Sequence, residues 1–151
     1  MKLTKKDIAF LESQGATVSK KKLRGERKQR IFLVLRYPPT TNHLYCTVRG
    51  RRVLSAQAKA YKRSVDLACQ QQNSGHVVGE IALKMYVYPP DNRRRDLSNV
   101  IKITEDSLTE AGVWEDDSQI SSIEIYRGRV ANFEGSGQVN VEIKEQPWQV
   151  N

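Results

Sequence analysis

Three consecutive cations stand directly beside a carboxylate in the middle of the chain, where Arg93–Arg95 are followed at once by Asp96. Guanidinium groups bind phosphate oxygens through paired hydrogen bonds, and carboxylates are the hard oxygen ligands that Mg²⁺ prefers. The residues in front of them, 88–92, are rich in proline and turn formers, so they predict a loop from a strand into a helix. A helix N-terminus adds unpaired N–H groups that attract an anion. The combination favours chemistry on a nucleic-acid backbone.

The segment after Asp96 has the 3.6-residue period of a helix. Gly112 is a residue that commonly ends a helix, and an acidic turn, residues 114–119, follows it with Asp116 and Asp117. The predicted core face consists of Leu97, Ile101, Thr104, Leu108 and Ala111, and the predicted polar face of Asn99, Lys102, Asp106 and Glu110. The helix must therefore position its polar face between the arginine loop and the acidic turn.

Each of these features also has a purely structural interpretation. Asp96 could serve only as a helix N-cap, and Lys102 with Asp106 only as an exposed i,i+4 ion pair. The pair Asp116–Asp117 could be a solvated turn. Three arginines directly before a carboxylate are harder to explain by structure alone, and they favour the functional interpretation.

In order and spacing, these blocks resemble the RusA family of Holliday junction resolvases. The matching residues are Pro90–Asn99, Lys102, Asp106, Leu108, 111–114 and 116–119, preceded by 38–45, 50–52 and 58–61. The resemblance covers about residues 31–145. It implies a small α+β homodimer that uses Mg²⁺ to cut four-way DNA junctions.

The resemblance also implies roles for single residues. Asp96 and Asp117 would be catalytic metal ligands, and Lys102 a catalytic cation near the scissile phosphate, with Mg²⁺ as cofactor and Mn²⁺ as an alternative. Charge and resemblance together give the DNA-binding candidates Arg93, Arg94, Arg95, Arg51, Arg52, Asn42, Lys20, Lys21 and Lys22.

One position departs from the family. The family reads Asp-x-Asp-Asn where this chain reads Asp96-Leu97-Ser98-Asn99, so a neutral hydroxyl stands in place of a third acid. Ser98 is a poor metal ligand beside a carboxylate. Either Asp106 or Asp116 completes the site, or the site binds metal weakly, or this is an inactivated form.

The distance between the two matching acids raises a geometric question. A helix of about 15 residues is about 22 Å long, so one metal could not reach from a loop at its start to a loop at its end. Either the acidic turn folds back along the polar face of the helix, or two protomers combine their carboxylates.

Composition narrows the class of protein. The chain has 151 residues, 38% of them hydrophobic and 28% charged, which suits one domain with a single core. No apolar run approaches the roughly 20 residues of a membrane span, and the first residues lack the apolar core of a signal peptide. Two cysteines and two histidines are too few for a disulfide framework or a histidine-based metal site. A cytoplasmic protein of a bacterium or phage, without a membrane partner, is expected.

The charge is unevenly distributed. Of the net +8, residues 1–30 carry +7, because ten Lys and Arg face only three acids. Residues 31–63 then hold seven cations and no acid, whereas the acids are concentrated after residue 90. A basic surface around an acidic pocket is typical of a nucleic-acid face that surrounds metal carboxylates.

The periodicity predicts a single α+β domain. Strands are predicted at Ile31–Leu35, at 81–87, at 120–125 and at 139–143, with a hairpin about Gly50 (residues 47–54) and a helix from Ser55 to about Gln72. Together they predict a mixed β-sheet with two main helices packed mainly on one face. Residues 1–30 are expected to form a basic extension, residues 31–145 the nuclease domain and residues 146–151 a tail.

Two other functions fit parts of the sequence. A catalytically impaired or inactive protein that binds branched DNA fits Ser98, and only an assay of cleavage separates it from a resolvase. A basic RNA-binding protein of the translation machinery fits the extension, but it leaves the arginine loop and the acidic turn unexplained.

The basic extension generates the first prediction. Deleting residues 1–30 should weaken binding to all DNA about equally, because contacts with phosphates carry no sequence information. Each lost phosphate contact should reduce the slope of log K against log salt concentration by about 0.9. Binding isotherms at several salt concentrations measure this, and an unchanged affinity at moderate salt would show that the extension is only a tail.

Overall fold

The computed structural model describes residues 29–131 and 135–147. Residues 1–28 of the basic extension, with Lys20, Lys21 and Lys22, and residues 148–151 of the tail lie outside these ranges. The strands and helices are β1 (Arg30–Arg36), β2 (Tyr45–Val48), β3 (Arg51–Leu54), α1 (Ala56–Gln71), β4 (Glu80–Tyr88), α2 (Ser98–Glu110), β5 (Ile120–Arg127) and β6 (Gln138–Gln146). The predicted strands, hairpin and helices are all present, so the α+β class is confirmed.

Four strands form one mixed sheet in the order β1-β6-β4-β5. Strand β6 runs antiparallel to both β1 and β4, whereas β4 and β5 are parallel. Parallel neighbours need a crossover that returns the chain to the starting edge of the sheet, and α2 with the acidic turn supplies it. The crossover places the arginine loop at one end of α2 and the acidic turn at the other.

The core lies on one face of the sheet. Alternate residues of each strand point to that face and are buried, as Leu83 and Met85 in β4 and Val141 in β6 show. Both helices contribute to the same core, and Tyr61 and Val65 of α1 are buried with it. The prediction that the helices pack mainly on one face is therefore confirmed.

The predicted core face of α2 was incomplete. Thr104 and Leu108 are buried, and Leu97, Ile101 and Ala111 are partly buried and pack against the core, as expected. The remaining buried residues of the helix are Val100, Ile103 and Ser107. The helix contacts α1, and its buried apolar residues belong to the same core as those of the sheet. In α1, the structure buries Cys69 and leaves Leu67 exposed.

Strands β2 and β3 form a separate antiparallel ribbon. The prediction of a hairpin about Gly50 is confirmed, and the ribbon begins two residues earlier than predicted, at Tyr45. Its turn consists of Arg49 and Gly50, whose φ angles of 50° and 73° are both positive. Two positive φ angles are the requirement of the tight turns that connect hairpin strands.

None of the helices in the described ranges is both long enough and apolar enough to cross a membrane.

Candidate active site

The loop before α2 is held together by Arg95. Its guanidinium forms a two-pronged pair with the Asp91 carboxylate, with 2.9 Å between Nη2 and Oδ2, and lies 5.7 Å from the centre of the Tyr37 ring. The backbone N–H of Arg93 also donates to Asp91, at 2.9 Å. These hydrogen bonds, first that from Arg95, hold the pKa of Asp91 well below its usual range. Of the three arginines, Arg95 is therefore engaged within the protein.

The other two arginines face solvent. The Arg93 side chain is 84% exposed and lies 3.7 Å from Asp91, whereas the Arg95 side chain is only 18% exposed. Arg94 is exposed, and its side chain pairs with none of the described residues. These exposures leave Arg93 and Arg94 available for phosphates.

A cleft of about 360 Å³ joins several of the predicted site residues. Asn42, from the loop after β1, lines it together with Arg94, Asp96 and Asn99. The Asp96 carboxylate is exposed and does not cap α2; its backbone carbonyl accepts the N–H of Asn99 at 3.2 Å. The structure therefore brings a free carboxylate and a free guanidinium to one concave surface.

The polar face of α2 carries an ammonium between two carboxylates. Lys102 Nζ lies 2.7 Å from Asp106 Oδ1 and 3.4 Å from Asp117 Oδ2. These contacts, first the hydrogen bond from Lys102 to Asp106, raise the pKa of Lys102, so the ammonium stays charged. The Lys102 side chain is 71% exposed, so it remains accessible to a ligand.

The acidic turn folds back along α2. The indole of Trp114 is buried, and its Nε1–H donates to Asp117 Oδ1 at 3.2 Å and to Thr109 Oγ1 at 2.6 Å. The Thr109 hydroxyl also contacts Asp117. The turn therefore lies against the polar face of α2, where Asp117 reaches Lys102 at 3.4 Å.

Gln119 fixes the backbone of the turn. Its side chain is buried, with Nε2 at 3.1 Å from the carbonyl oxygens of Val77, Val78 and Gly79. Its Oε1 accepts the N–H groups of Glu115 and Asp116. This amide thus ties the turn to the segment before β4, and that contact determines where Asp117 stands.

The two alternatives for the missing acid have different surroundings. Asp116 caps the short 3-10 helix Asp117–Gln119, accepting the Ser118 N–H at 2.7 Å. Asp106 lies instead on the polar face of α2 and shares Lys102 with Asp117. Ser98 is the exposed first residue of α2.

Sequence reasoning missed Glu105. This half-buried carboxyl has a raised pKa, first because burial disfavours its charged form and then because Asp117 repels a second negative charge. Its position three residues after Lys102 and directly before Asp106 was a signal, because residues three apart are neighbours on a helix. Lys102 is therefore surrounded by three carboxyl groups.

Asp117 stays ionised in this cluster. Burial favours its neutral form, but the hydrogen bonds from Thr109 and Trp114 and the charge of Lys102 outweigh burial and lower the pKa of Asp117. The ionised carboxylate of Asp117 can bind a cation, and the exposed ammonium of Lys102 beside it can bind a phosphate. The cluster can thus contact both a metal ion and a nucleic-acid backbone.

Not every candidate lies in this region. Arg51 and Arg52 are on the separate ribbon and are not among the residues that line the cleft. The Arg52 guanidinium stacks over the Tyr45 ring at 4.1 Å.

The chain is similar to known endonucleases over most of its described part. The family model with the description "Endodeoxyribonuclease RusA" matches residues 36–144. The protein named crossover junction endodeoxyribonuclease RusA from Escherichia coli (strain K12) is 37% identical over 91 residues, which cover 58% of this chain and 74% of that protein. The corresponding protein of Enterobacteria phage HK97 is 33% identical over 96 residues, 63% of this chain and 80% of its own length.

The different surroundings of two neighbouring arginines generate a prediction. Arg94→Ala should lower DNA affinity and reduce the salt slope by about 0.9, the effect of one phosphate contact, with an unchanged melting temperature. Arg95→Ala should lower the melting temperature, because the Asp91 carboxylate loses its partner. Thermal unfolding and binding titrations of both variants measure the difference.

The pH dependence provides the control. Because the pKa of Asp91 is depressed in the fold, its stabilisation is present above its ordinary value of 3.8 and is lost as the pH falls through the lower folded value. The gap in melting temperature between Arg95→Ala and the parent should therefore narrow in acid. Equal losses of stability in both variants would contradict the assignment.

Proposed function

Because the chain belongs to the RusA endodeoxyribonuclease family, we propose that it is a structure-selective endonuclease that hydrolyses phosphodiester bonds at four-way DNA junctions. The observation that carries the proposal is the exposed Lys102 ammonium held between Asp106 and Asp117. Its helix begins beside a cleft that carries Asp96 and Arg94. Phosphoryl chemistry needs cations for the phosphate oxygens and carboxylates for a metal ion, and this region supplies both.

Each residue has a definite part in this proposal. Arg94 and Asn42 hold the strand in the cleft, since both line it and Arg94 has no competing partner among the described residues. Lys102 places a positive charge where the negative charge develops on the phosphate in the transition state. Asp106 and Asp117 keep that ammonium oriented until DNA arrives.

Mg²⁺ is the proposed cofactor, with Mn²⁺ as an alternative. Asp96 and Asp117 carry the hard oxygen atoms that suit it, although no three His, Cys, Asp or Glu side chains within residues 29–131 and 135–147 are grouped so as to hold a metal. The fit is still adequate, because Mg²⁺ is commonly bound by one or two carboxylates, water and substrate phosphate. When bound, it would activate water and neutralise phosphate charge.

A second function is favoured by one specific observation. Ser98 supplies no charge at the position where the family has an acid, so the chain could bind junctions without cutting them. Both functions share the same binding surface, and they differ only in catalysis. Asp106, which shares Lys102 with Asp117, is one candidate substitute for the missing acid, and Asp116, which caps the turn, is the other.

We further propose that the protein acts as a homodimer. A junction has two strands of like polarity to be cut, and a two-fold dimer presents two identical sites. The apolar faces of the helices are buried in the core of the protomer, so they do not form a free surface for a partner. The Gln72 side chain occupies the outer edge of β1 by bonding to the N–H and carbonyl of Val34, both at 2.9 Å.

The uncovered face of the sheet is the better interface. Its exposed large side chains are Phe32, Val34, Tyr86 and Tyr126, of which the two tyrosines stack with ring centres 5.4 Å apart. Cations and acids alternate among them, as the Lys84–Glu124 and Arg30–Glu142 pairs show. A two-fold interface must be complementary to itself, and a face that carries both signs of charge can be. Because monomers rarely expose large apolar patches, the apolar side chains of this face also favour an interface.

The experiment that tests the main proposal compares substrates. Purified protein is incubated with a four-way junction, a Y-fork and linear duplex, with and without Mg²⁺. The proposal expects paired cuts in the junction only when Mg²⁺ is present. Junction binding without cleavage would establish the second function, and cleavage of linear duplex at the same rate would contradict structure selectivity.

Lys102 gives the sharpest catalytic prediction. Lys102→Ala should leave junction binding nearly intact and lower the cleavage rate by about 10²-fold or more, as the loss of one transition-state contact typically does. Lys59→Ala, which removes an exposed lysine from α1, is the matched control and should cleave normally. Equal losses of binding and rate in Lys102→Ala would make it a docking residue.

Ser98 decides between the two functions. If the acidic cluster lacks an acid, Ser98→Asp should raise the cleavage rate sharply, most of all at low Mg²⁺, with little change in junction binding. If Asp106 already completes the site, the substitution should add an unneeded charge, and Asp106→Ala should abolish cleavage. A Mg²⁺ titration of parent and variants distinguishes these, because overlapping curves at full activity would refute the impaired site.

The dimer prediction uses two exposed apolar residues. Phe32→Glu, on the uncovered face, should shift the protein from about twice 17.3 kDa to the protomer mass. Leu67→Glu, on the solvent side of α1, is the matched control and should remain dimeric. Sedimentation at micromolar concentration measures both. A monomeric parent that still makes paired cuts would refute the dimer, and a dimeric Phe32→Glu would exclude this face.

A further inference from the structure

The β2–β3 ribbon stands apart from the four-stranded sheet, and all four residues of β2 are exposed. An isolated hairpin is only marginally stable in water, but this one is held at its base. Leu44 is buried, Leu54 packs against the core, and the Ser55 N–H donates to the Leu44 carbonyl at 2.9 Å. Ser55 also caps α1 through its hydroxyl. The ribbon is therefore fixed at one end and free at its tip.

The tip combines an apolar side chain with unpaired cations. Val48 is 51% exposed and stands opposite Arg51, at the last pair before the turn. Arg52 stacks on Tyr45, whereas the guanidinium groups of Arg49 and Arg51 have no carboxylate partner within the described ranges. Residues 31–63 contain no acid at all, so nothing along this stretch of sequence neutralises the tip.

We propose that this ribbon enters the branch point of the DNA junction, where Val48 packs against the bases and Arg49 and Arg51 contact the phosphates of the flanking strands. This inference rests on the proposed function and adds the element that recognises the branch. It separates recognition of the branch, by the ribbon, from hydrolysis, by the cluster around Lys102.

The size and chemistry of the ribbon fit a branch point. A two-stranded β-ribbon fits into a DNA major groove about 12 Å wide, so it is narrow enough to enter an opening between DNA helices. Apolar side chains that enter DNA act as wedges between base steps. The unstacking that a wedge requires costs least where stacking is already interrupted, and a branch point is such a place.

A groove or a second protein copy fits less well. Reading base edges in a groove uses polar side chains that pair with them, which leaves the exposed Val48 between the cations without a role. A second ribbon would bring like charges together, since the tip carries guanidinium groups and no carboxylate. DNA satisfies both components of the tip, phosphates for the cations and bases for the valine.

The test places 2-aminopurine, a fluorescent base that brightens on unstacking, at the branch point. The parent protein should raise its fluorescence on binding. Val48→Ser should give a smaller rise and an affinity for the junction about fivefold to tenfold lower, the effect of losing one apolar contact. Val48→Phe, which keeps an apolar side chain, should retain the rise.

Two controls make the outcomes distinct. Val78→Ser changes another exposed valine, outside the ribbon, and should behave like the parent. Linear duplex affinity should fall little in Val48→Ser, since the cations remain. An unchanged fluorescence rise and affinity in Val48→Ser, or a changed oligomeric state, would overturn the inference while the proposed function stands. A parent without preference for the junction over duplex would overturn the proposed function and this inference with it.

Discussion

The burial of Trp114 is the constraint on which the candidate site depends. An indole in a core must still find an acceptor for its N–H, and here the acceptors are Thr109 and Asp117. The apolar ring therefore anchors the turn after α2, while its polar edge draws the Asp117 carboxylate onto the helix. Without that anchor, an acid that follows a helix of 13 residues would remain about 20 Å from the helix start.

The parallel pairing of β4 and β5 supplies the other half of the arrangement. A parallel pair forces a crossover, and the crossover gives the protein a loop with cations at one end of α2 and a turn with acids at the other. The internal pair of Asp91 and Arg95 then stabilises the first loop, as Gln119 stabilises the turn. Asp91, Arg95 and Gln119 thus act on backbone position, and the nearby Arg94 and Asp117 are the residues to which we assign function.

Individual strands, helices and turns could be predicted from the sequence, but the elements and side chains that they contact could not. Alternation revealed β4 and β6, because each has one buried face, and the glycine at position 50 revealed the ribbon. The order of strands depends on which amphipathic strands meet, which the alternation does not encode. The same limit explains why Ile103 and Ser107 were missed on the buried face of α2, which packs against α1 and the core. It also explains the missed roles of Arg95 and Glu105. The sequence shows the charges of Arg95 and Glu105. Their partners were indicated only by spacing, since Arg95 follows Asp91 by four residues and Glu105 follows Lys102 by three.

The charges around Lys102 explain how one residue can serve both the free and the DNA-bound protein. Glu105, Asp106 and Asp117 lie around the ammonium, and the pKa of Glu105 is raised first by burial and then by the negative charge of Asp117. In the free protein, the hydrogen bonds from Thr109 and Trp114, followed by the charge of Lys102, keep Asp117 ionised against the effect of burial. A DNA phosphate would compete with the carboxylates for the Lys102 ammonium. Where the phosphate pairs with Lys102, the carboxylates are less neutralised and attract another cation more strongly. We therefore propose that phosphate binding and the proposed metal binding would be coupled through Lys102, whether or not residue 98 contributes a charge of its own.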